Sequence, residues 1–246
     1  MARLTVEILA VIFVASIVRS AFGFGEALIA VPLLALFLPI QVATPLAVLI
    51  SVAIAGIILI QDWRKVHVRS MGWLFVPTLA GIPLGIWLLH SSHQLLVKAA
   101  LGVIIVLFSG FFLLVKHPPH LEHDSHAWLL GCGFVAGVLG GAYGINGPAL
   151  VVYGSMRRWS PQHFRATLQG YFLPASALGM LGYGVSGLWT KQVTHYFFIA
   201  LFAAIPAVFI GRWLNHRMRG DAFLRYVHAG VIAVGIVLLI QALRHH

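Results

Sequence analysis

The chain has 246 residues, of which 60% are hydrophobic and only 9% charged, with a formal net charge of +10 and a mean hydropathy of +0.95. A soluble core has no use for that much apolar surface, whereas a chain facing lipid needs it, so a soluble enzyme or nucleic-acid-binding domain is excluded. The basic excess falls in short loops between apolar runs, where it acts as an orientation signal.

In chain order, an apolar segment over about 6–22 runs into a glycine-rich break, Ala21-Phe22-Gly23-Phe24-Gly25-Glu26-Ala27-Leu28, and a short segment follows over about 26–38. Longer segments over 42–61, 71–90 and 95–115 complete a first half. The linker 116–126 leads to a second half of the same layout. Short segments over about 127–140 and 145–156 flank a second break, Ala142-Tyr143-Gly144-Ile145-Asn146-Gly147-Pro148-Ala149-Leu150. Long segments over 164–189, 195–214 and 222–243 then follow. A membrane-crossing helix takes roughly 17–25 residues. Lipid forbids open strands, and these runs are too long and uniform for barrel strands, so the fold is an all-α integral membrane protein. The first segment is read as part of the mature fold and not as a secretory leader. Arg19 interrupts its end, no A-x-A site follows, and it has a counterpart in the second half.

Residues 1–115 and 127–246 thus read as two repeats of one membrane domain. Ile82-Pro83 returns as Ile205-Pro206, Trp87-Leu88-Leu89-His90 as Trp213-Leu214-Asn215-His216, and Val97-Lys98 as Leu224-Arg225, at offsets of 121 to 127 throughout. Basic residues alternate between equivalent loops. Arg64, Lys65 and Arg69 in 62–70 face only Lys191 in 188–195; Arg157, Arg158 and Arg165 in 157–165 face none in 39–41; Arg217 and Arg219 in 215–221 face none in 91–94. The positive-inside rule therefore puts equivalent loops on opposite sides, with 62–70, 116–126, 157–165 and 215–221 cytoplasmic and both termini outside. This is an inverted-topology repeat, each half carrying a broken pair of short helices plus three long ones. The pair is either two short crossings or a re-entrant hairpin. Paired broken segments in two halves point to a transporter whose site lies between them.

Gly23, Gly25, Gly140, Gly141, Gly144 and Gly147 free the backbone at these breaks. A helix that starts after such a break aims unpaired N–H groups and a partial positive charge at the gap, which favours an anion. Close helix packing is the alternative use of such glycines. Arg19, one turn before the first break, is too costly to face lipid. It either binds the substrate anion, pairs with Glu26 across the break, or snorkels to a headgroup. Glu26 is the one carboxylate near either break, and its counterpart is Pro148. It is a candidate for a coupling proton or for a cap on the following helix. Thr44, Asn146, Thr167 and Gln169 are uncharged donors near the expected cavity, and Arg165 begins a long span at the cytoplasmic side. Threonine equally bonds its own helix backbone, and Arg165 equally marks orientation.

Four histidines, His117, His120, His123 and His126, with Glu122 and Asp124, crowd the linker. Their spacing matches no metal-ligand pattern, and Pro118-Pro119 suits an ordinary linker, so no metal or cofactor is expected. Cys132 alone forms no internal disulfide. The sequence contains no Walker motif, nucleophile elbow or H-E-x-x-H, so it gives no support to ATP-driven pumping or hydrolysis.

Three stretches resemble the TauE/SafE family of membrane transporters, often called sulfite exporters. They are Gly23-Phe24-Gly25 through Ala30-Val31-Pro32-Leu33-Leu34, Asn146-Gly147-Pro148-Ala149-Leu150-Val151-Val152-Tyr153, and Phe164-Arg165-Ala166-Thr167-Leu168. Ala149 replaces a proline common in the family, and Arg19 and Glu26 also depart from its pattern. The resemblance implies an inner-membrane carrier exporting a small sulfur-containing anion such as sulfite, sulfoacetate or a related organosulfonate. The residues expected to bind it are Arg19, Gly23, Gly25, Thr44, Gly144, Asn146, Gly147, Arg165, Thr167 and Gln169, with Glu26 in coupling. The expected partners are the anion and the lipid bilayer. An anion channel and a metal-dependent membrane enzyme using the linker histidines are the competing readings. The sequence does not reveal the oligomeric state.

Overall fold

A computed structural model of the chain describes residues 2–62, 68–91, 93–114, 121, 125–157 and 161–217, with 232, 233, 235–237, 239, 240 and 243. Nine helices and no strand occur over residues 2–217 among those described. They are α1 (Ala2–Phe22), α2 (Glu26–Ala35), α3 (Ile40–Asp62), α4 (Val68–His90), α5 (Gln94–Leu114), α6 (His126–Tyr143), α7 (Gly147–Met156), α8 (Pro161–Val185) and α9 (Lys191–Arg217). Five windows are long and apolar enough to cross a membrane: Arg3–Ala21, Ile40–Ile57, Gly72–His90, His126–Tyr143 and Lys191–Leu214. The expected segment 222–243 lies largely outside the described residues, as do most of the loops that set the expected orientation.

The first segment of each broken pair is longer than expected. α1 has 21 residues and α6 has 18. The apolar runs over 6–22 and 127–140 stop short of Arg3 at one end and of Tyr143 at the other, but a helix can carry both. Their partners α2 and α7 have ten residues each. At 1.5 Å per residue each rises roughly 15 Å, about half the hydrocarbon thickness. Each pair therefore combines a helix long enough to cross with a half-length return.

Packing is closest between helices distant in the chain. α4 lies along α6, α1 lies along α9, and α3 packs on α8 at the centre, with α2 against α3 and α7 against α6. The α4–α6 seam is built from backbone. A Cβ on Gly85 would sit 2.2 Å from the Val138 carbonyl oxygen, and one on Gly137 would sit 2.6 Å from that of Thr78. Without a hydrophobic force between helices in lipid, such small-residue contacts are what bring them together. The Thr78 hydroxyl joins the seam to the centre. Its Oγ lies 2.9 Å from both the Leu74 and Gly133 carbonyl oxygens and 2.7 Å from the Tyr171 hydroxyl. At the α1–α9 seam, Ser20 donates a 2.6 Å hydrogen bond to the Val208 carbonyl. A Cβ on Gly211 would sit 2.5 Å from the Ile17 carbonyl oxygen.

Gly85→Ala is expected to lower stability by about 1–3 kcal/mol, the usual cost of overpacking. Gly131→Ala is the control, because no atom lies within 4 Å of its Cβ position, and it should leave the melting temperature unchanged or slightly raised. Thermal unfolding of the purified variants in detergent measures both.

Candidate functional site

The two breaks meet. Gly23 and Gly25 adopt φ of 84° and 95°, and Gly144 adopts 67°, a left-handed backbone that glycine takes without steric penalty. Gly144 ends α6 as its C-cap, and Gly25 is the N-cap of α2 with no side-chain cap bond. At Gly144 a Cβ would lie 2.6 Å from Val48 Cγ2 and 3.8 Å from the Ala27 methyl, so the second break rests on α3 and the start of α2. The first turns of α2 and α7 line one small cavity of about 30 Å3, with Gly25, Glu26, Ala27 and Leu28 on one side and Gly144, Ile145, Asn146, Gly147 and Pro148 on the other. The N–H groups of a first helical turn have no intrahelical acceptor, and the helix dipole adds partial positive charge there. Two such ends around one cavity favour an anion.

Arg19 enters the same cavity from α1. Arg19 is 3% exposed and Glu26 is 1% exposed. Nη1 donates to Glu26 Oε2 at 2.7 Å and also to Ser51 Oγ from α3. The guanidinium carbon lies 5.5 Å from the centre of the Phe172 ring, within cation–π range. Of the alternatives for Arg19, the structure shows the pairing across the break and excludes snorkelling. The pair leaves spare capacity. Arg19 Nε and Nη2 and Glu26 Oε1 are buried without a hydrogen-bond partner. Native structures satisfy nearly all such groups, so unpaired donors beside a cavity mark where a ligand's acceptors fit.

The remaining expected residues divide. Asn146 is buried, lines the cavity, and lies over Gly140, where a Cβ would come 2.2 Å from its Nδ2. Gly140 and Gly141 were grouped with the break, yet they belong to α6. Gly140 makes room for Asn146, and Gly141 packs against α4, where a Cβ would lie 2.3 Å from the Ile82 carbonyl oxygen. Tyr183 of α8 donates from its hydroxyl to the carbonyls of both, at 3.1 and 2.8 Å, near the end of the interrupted helix. Gly147 faces the Phe24 and Phe172 rings at about 4 Å from a built Cβ. Thr44 and Thr167 are buried with unpartnered hydroxyls but do not line the cavity. The side chains of Arg165 and Gln169 lie outside the described residues.

Sequence reasoning missed Ser51, Phe108 and Phe172 in the lining. It also missed Lys98, whose Nζ donates 2.7 Å to the Ala35 carbonyl and places a cation at the C-terminus of α2, as the dipole favours. Ser51 had a signal in sequence. It stands seven residues after Thr44 in an otherwise apolar stretch, which puts both on one helix face. His117, His120 and His123 lie outside the described residues, while His126 meets Trp73 edge-on with ring centroids 5.5 Å apart. Among the described residues no group of three or more His, Cys, Asp or Glu is placed to hold a metal.

Comparison with known proteins places the chain in a family. The family described as "Sulfite exporter TauE/SafE" matches residues 8–239. The chain is 27% identical over 186 residues to a protein of Cupriavidus necator named "Probable sulfite/organosulfonate exporter TauE", covering 74% of this chain and 70% of that one. No solved structure matches the chain.

Glu26→Ala leaves the Arg19 charge buried and unbalanced, and should lower stability by roughly 3–5 kcal/mol. Replacing both members, Arg19→Met with Glu26→Met, should cost less than Glu26→Ala alone. A double-mutant cycle on thermal unfolding reads the coupling.

Proposed function

The chain belongs to the TauE/SafE sulfite exporter family, and we propose that this membrane transporter is a secondary carrier for a small sulfur-containing anion, such as sulfite, sulfoacetate or a related organosulfonate. The observation that carries the reading is the convergence of two helix N-termini and the free edge of Arg19 on one buried cavity. Arg19 and the backbone N–H groups present donors to an oxyanion, and Asn146 adds an uncharged amide. None of these groups is a nucleophile set up for covalent chemistry, and the family consists of exporters and not enzymes. The relative from Cupriavidus necator, by its name an exporter of sulfite or organosulfonate, suggests the substrate class and the outward direction.

Alternating access fits the packing. In the correspondence of the halves, α1 matches α6 and α4 matches α9. The observed α1–α9 seam is then the counterpart of the α4–α6 seam, and the α3–α8 contact is its own counterpart. Such reciprocity supports two inverted-topology repeats related by an axis in the membrane plane, with the site where they meet. The orientation drawn from the loop charges, with both termini outside the cytoplasm of the inner membrane, completes this reading. A cavity of about 30 Å3, room for roughly one or two waters, favours a carrier over an open anion channel.

Gly147→Leu tests the site more cleanly than a change at Gly25, where the positive φ would strain any side chain. At Gly147 a Cβ meets only ordinary contacts, so the variant should fold while its branched end fills the space beside Phe24 and Phe172. The wild-type protein should gain thermal stability with sulfite or an organosulfonate, since a ligand bound only by the folded state raises the melting temperature. The variant should melt near the wild-type temperature and show no such gain. A folded variant with an undiminished anion-induced shift would remove the cavity from the mechanism.

A further inference from the structure

The cavity contains a feature that anion binding alone does not require. Its cation already has a counter-ion. Arg19 uses one nitrogen, Nη1, for Glu26 and Ser51, and leaves Nε and Nη2 unpartnered; Glu26 uses Oε2 and leaves Oε1 unpartnered. The positive and negative charges of the empty site sum to zero. A monoanion taking the free edge of Arg19 brings a second negative charge into the same buried space as Glu26 Oε1. Like charges disfavour the ionised forms of both, and burial strengthens the repulsion because little water screens it.

We propose that Glu26 is the proton partner of the transported anion: its carboxylate balances Arg19 while the site is empty, and it takes up one proton from solution as a monoanion enters. The carboxylate becomes a carboxylic acid, Arg19 turns its donors to the anion, and the occupied site is again neutral. The new hydroxyl of Glu26 can donate to the bound anion, which gives its unpartnered oxygen an acceptor.

The surroundings of Glu26 leave it as the group that responds. α1 contributes Arg19, which stays charged throughout. α3 contributes Ser51, α5 Phe108, α7 and its preceding break Asn146 and Pro148, and α8 Phe172; none of these titrates. Tyr171, next to Phe172, shares its hydroxyl between Thr78 and the cavity-lining Asn146, and a tyrosine hydroxyl does not titrate over pH 5 to 9. Lys98 sits at the far end of α2 on the Ala35 carbonyl.

This inference rests on the anion-site reading above, and one experiment separates their failures. The probe is methanesulfonate, a monoanion from pH 5 to 9, so that any proton taken up belongs to the protein. Sulfite, corrected for its own ionisation, serves as a second probe. Affinity is measured by titration calorimetry in buffers of different ionisation enthalpy, for wild type and Glu26→Gln. In wild type, affinity should fall about tenfold per pH unit once Glu26 is ionised in the empty site, with about one proton taken up per anion bound. Glu26→Gln keeps a neutral group of the same shape beside Arg19. It should bind with no pH dependence and no proton uptake, and at pH 8 at least tenfold tighter than wild type. Anion binding by wild type without proton uptake, or a pH dependence that survives in Glu26→Gln, overturns the proton role and leaves the anion site standing. Failure of both proteins to bind either probe at any pH overturns both.

Discussion

An arginine at 3% exposure inside a chain with so few charges constrains everything near it. Arginine does not lose its proton, so the fold must balance the charge in place. Glu26 does this across the first break, at 2.7 Å. The pairing requires α1 to stop at Phe22 and the chain to reverse through Gly23 and Gly25, because seven residues of straight helix would separate the two groups by about 10 Å along the axis. The positive φ values at those glycines are what bring residue 26 back to residue 19. The break is therefore both a cavity wall and the means by which a buried ion pair forms in an apolar bundle.

The second break lines the same cavity with no charge at all. Gly144 turns the chain, Asn146 fills the place beside Gly140, and Pro148 stands where the first half has its carboxylate. Both return helices present their N-terminal dipole ends to the cavity, and both breaks are held from outside. Lys98 satisfies the far end of α2, and Tyr183 bonds the buried carbonyls of Gly140 and Gly141 near the end of α6. Orphaned backbone groups in a bilayer cost several kcal/mol each, so these contacts are conditions for having a broken helix there.

Much of this was legible in the sequence, for a physical reason. Lipid penalises charge and open backbone so strongly that apolar runs mark helices and glycine clusters mark their interruptions. The two breaks and the polar groups beside them, Arg19, Glu26 and Asn146, could be found by looking along the chain. What the chain order hides is which distant residues meet. Phe108 and Phe172 are ordinary members of apolar helices until α5 and α8 close around the break. Gly140 and Gly141 look like part of the interruption, but their backbones are helical and their missing side chains serve packing. The pairing of Arg19 with Glu26 was one of several open choices, because sequence spacing does not reveal the sharpness of the turn between them.

The backbone seams run between the halves and not within them. α4 from the first is locked against α6 from the second, and α1 from the first against α9 from the second. Glycine contacts with carbonyl oxygens hold these pairs at backbone distance. Separated between α5 and α6, each piece would carry a bare backbone groove with nothing of its own to fill it.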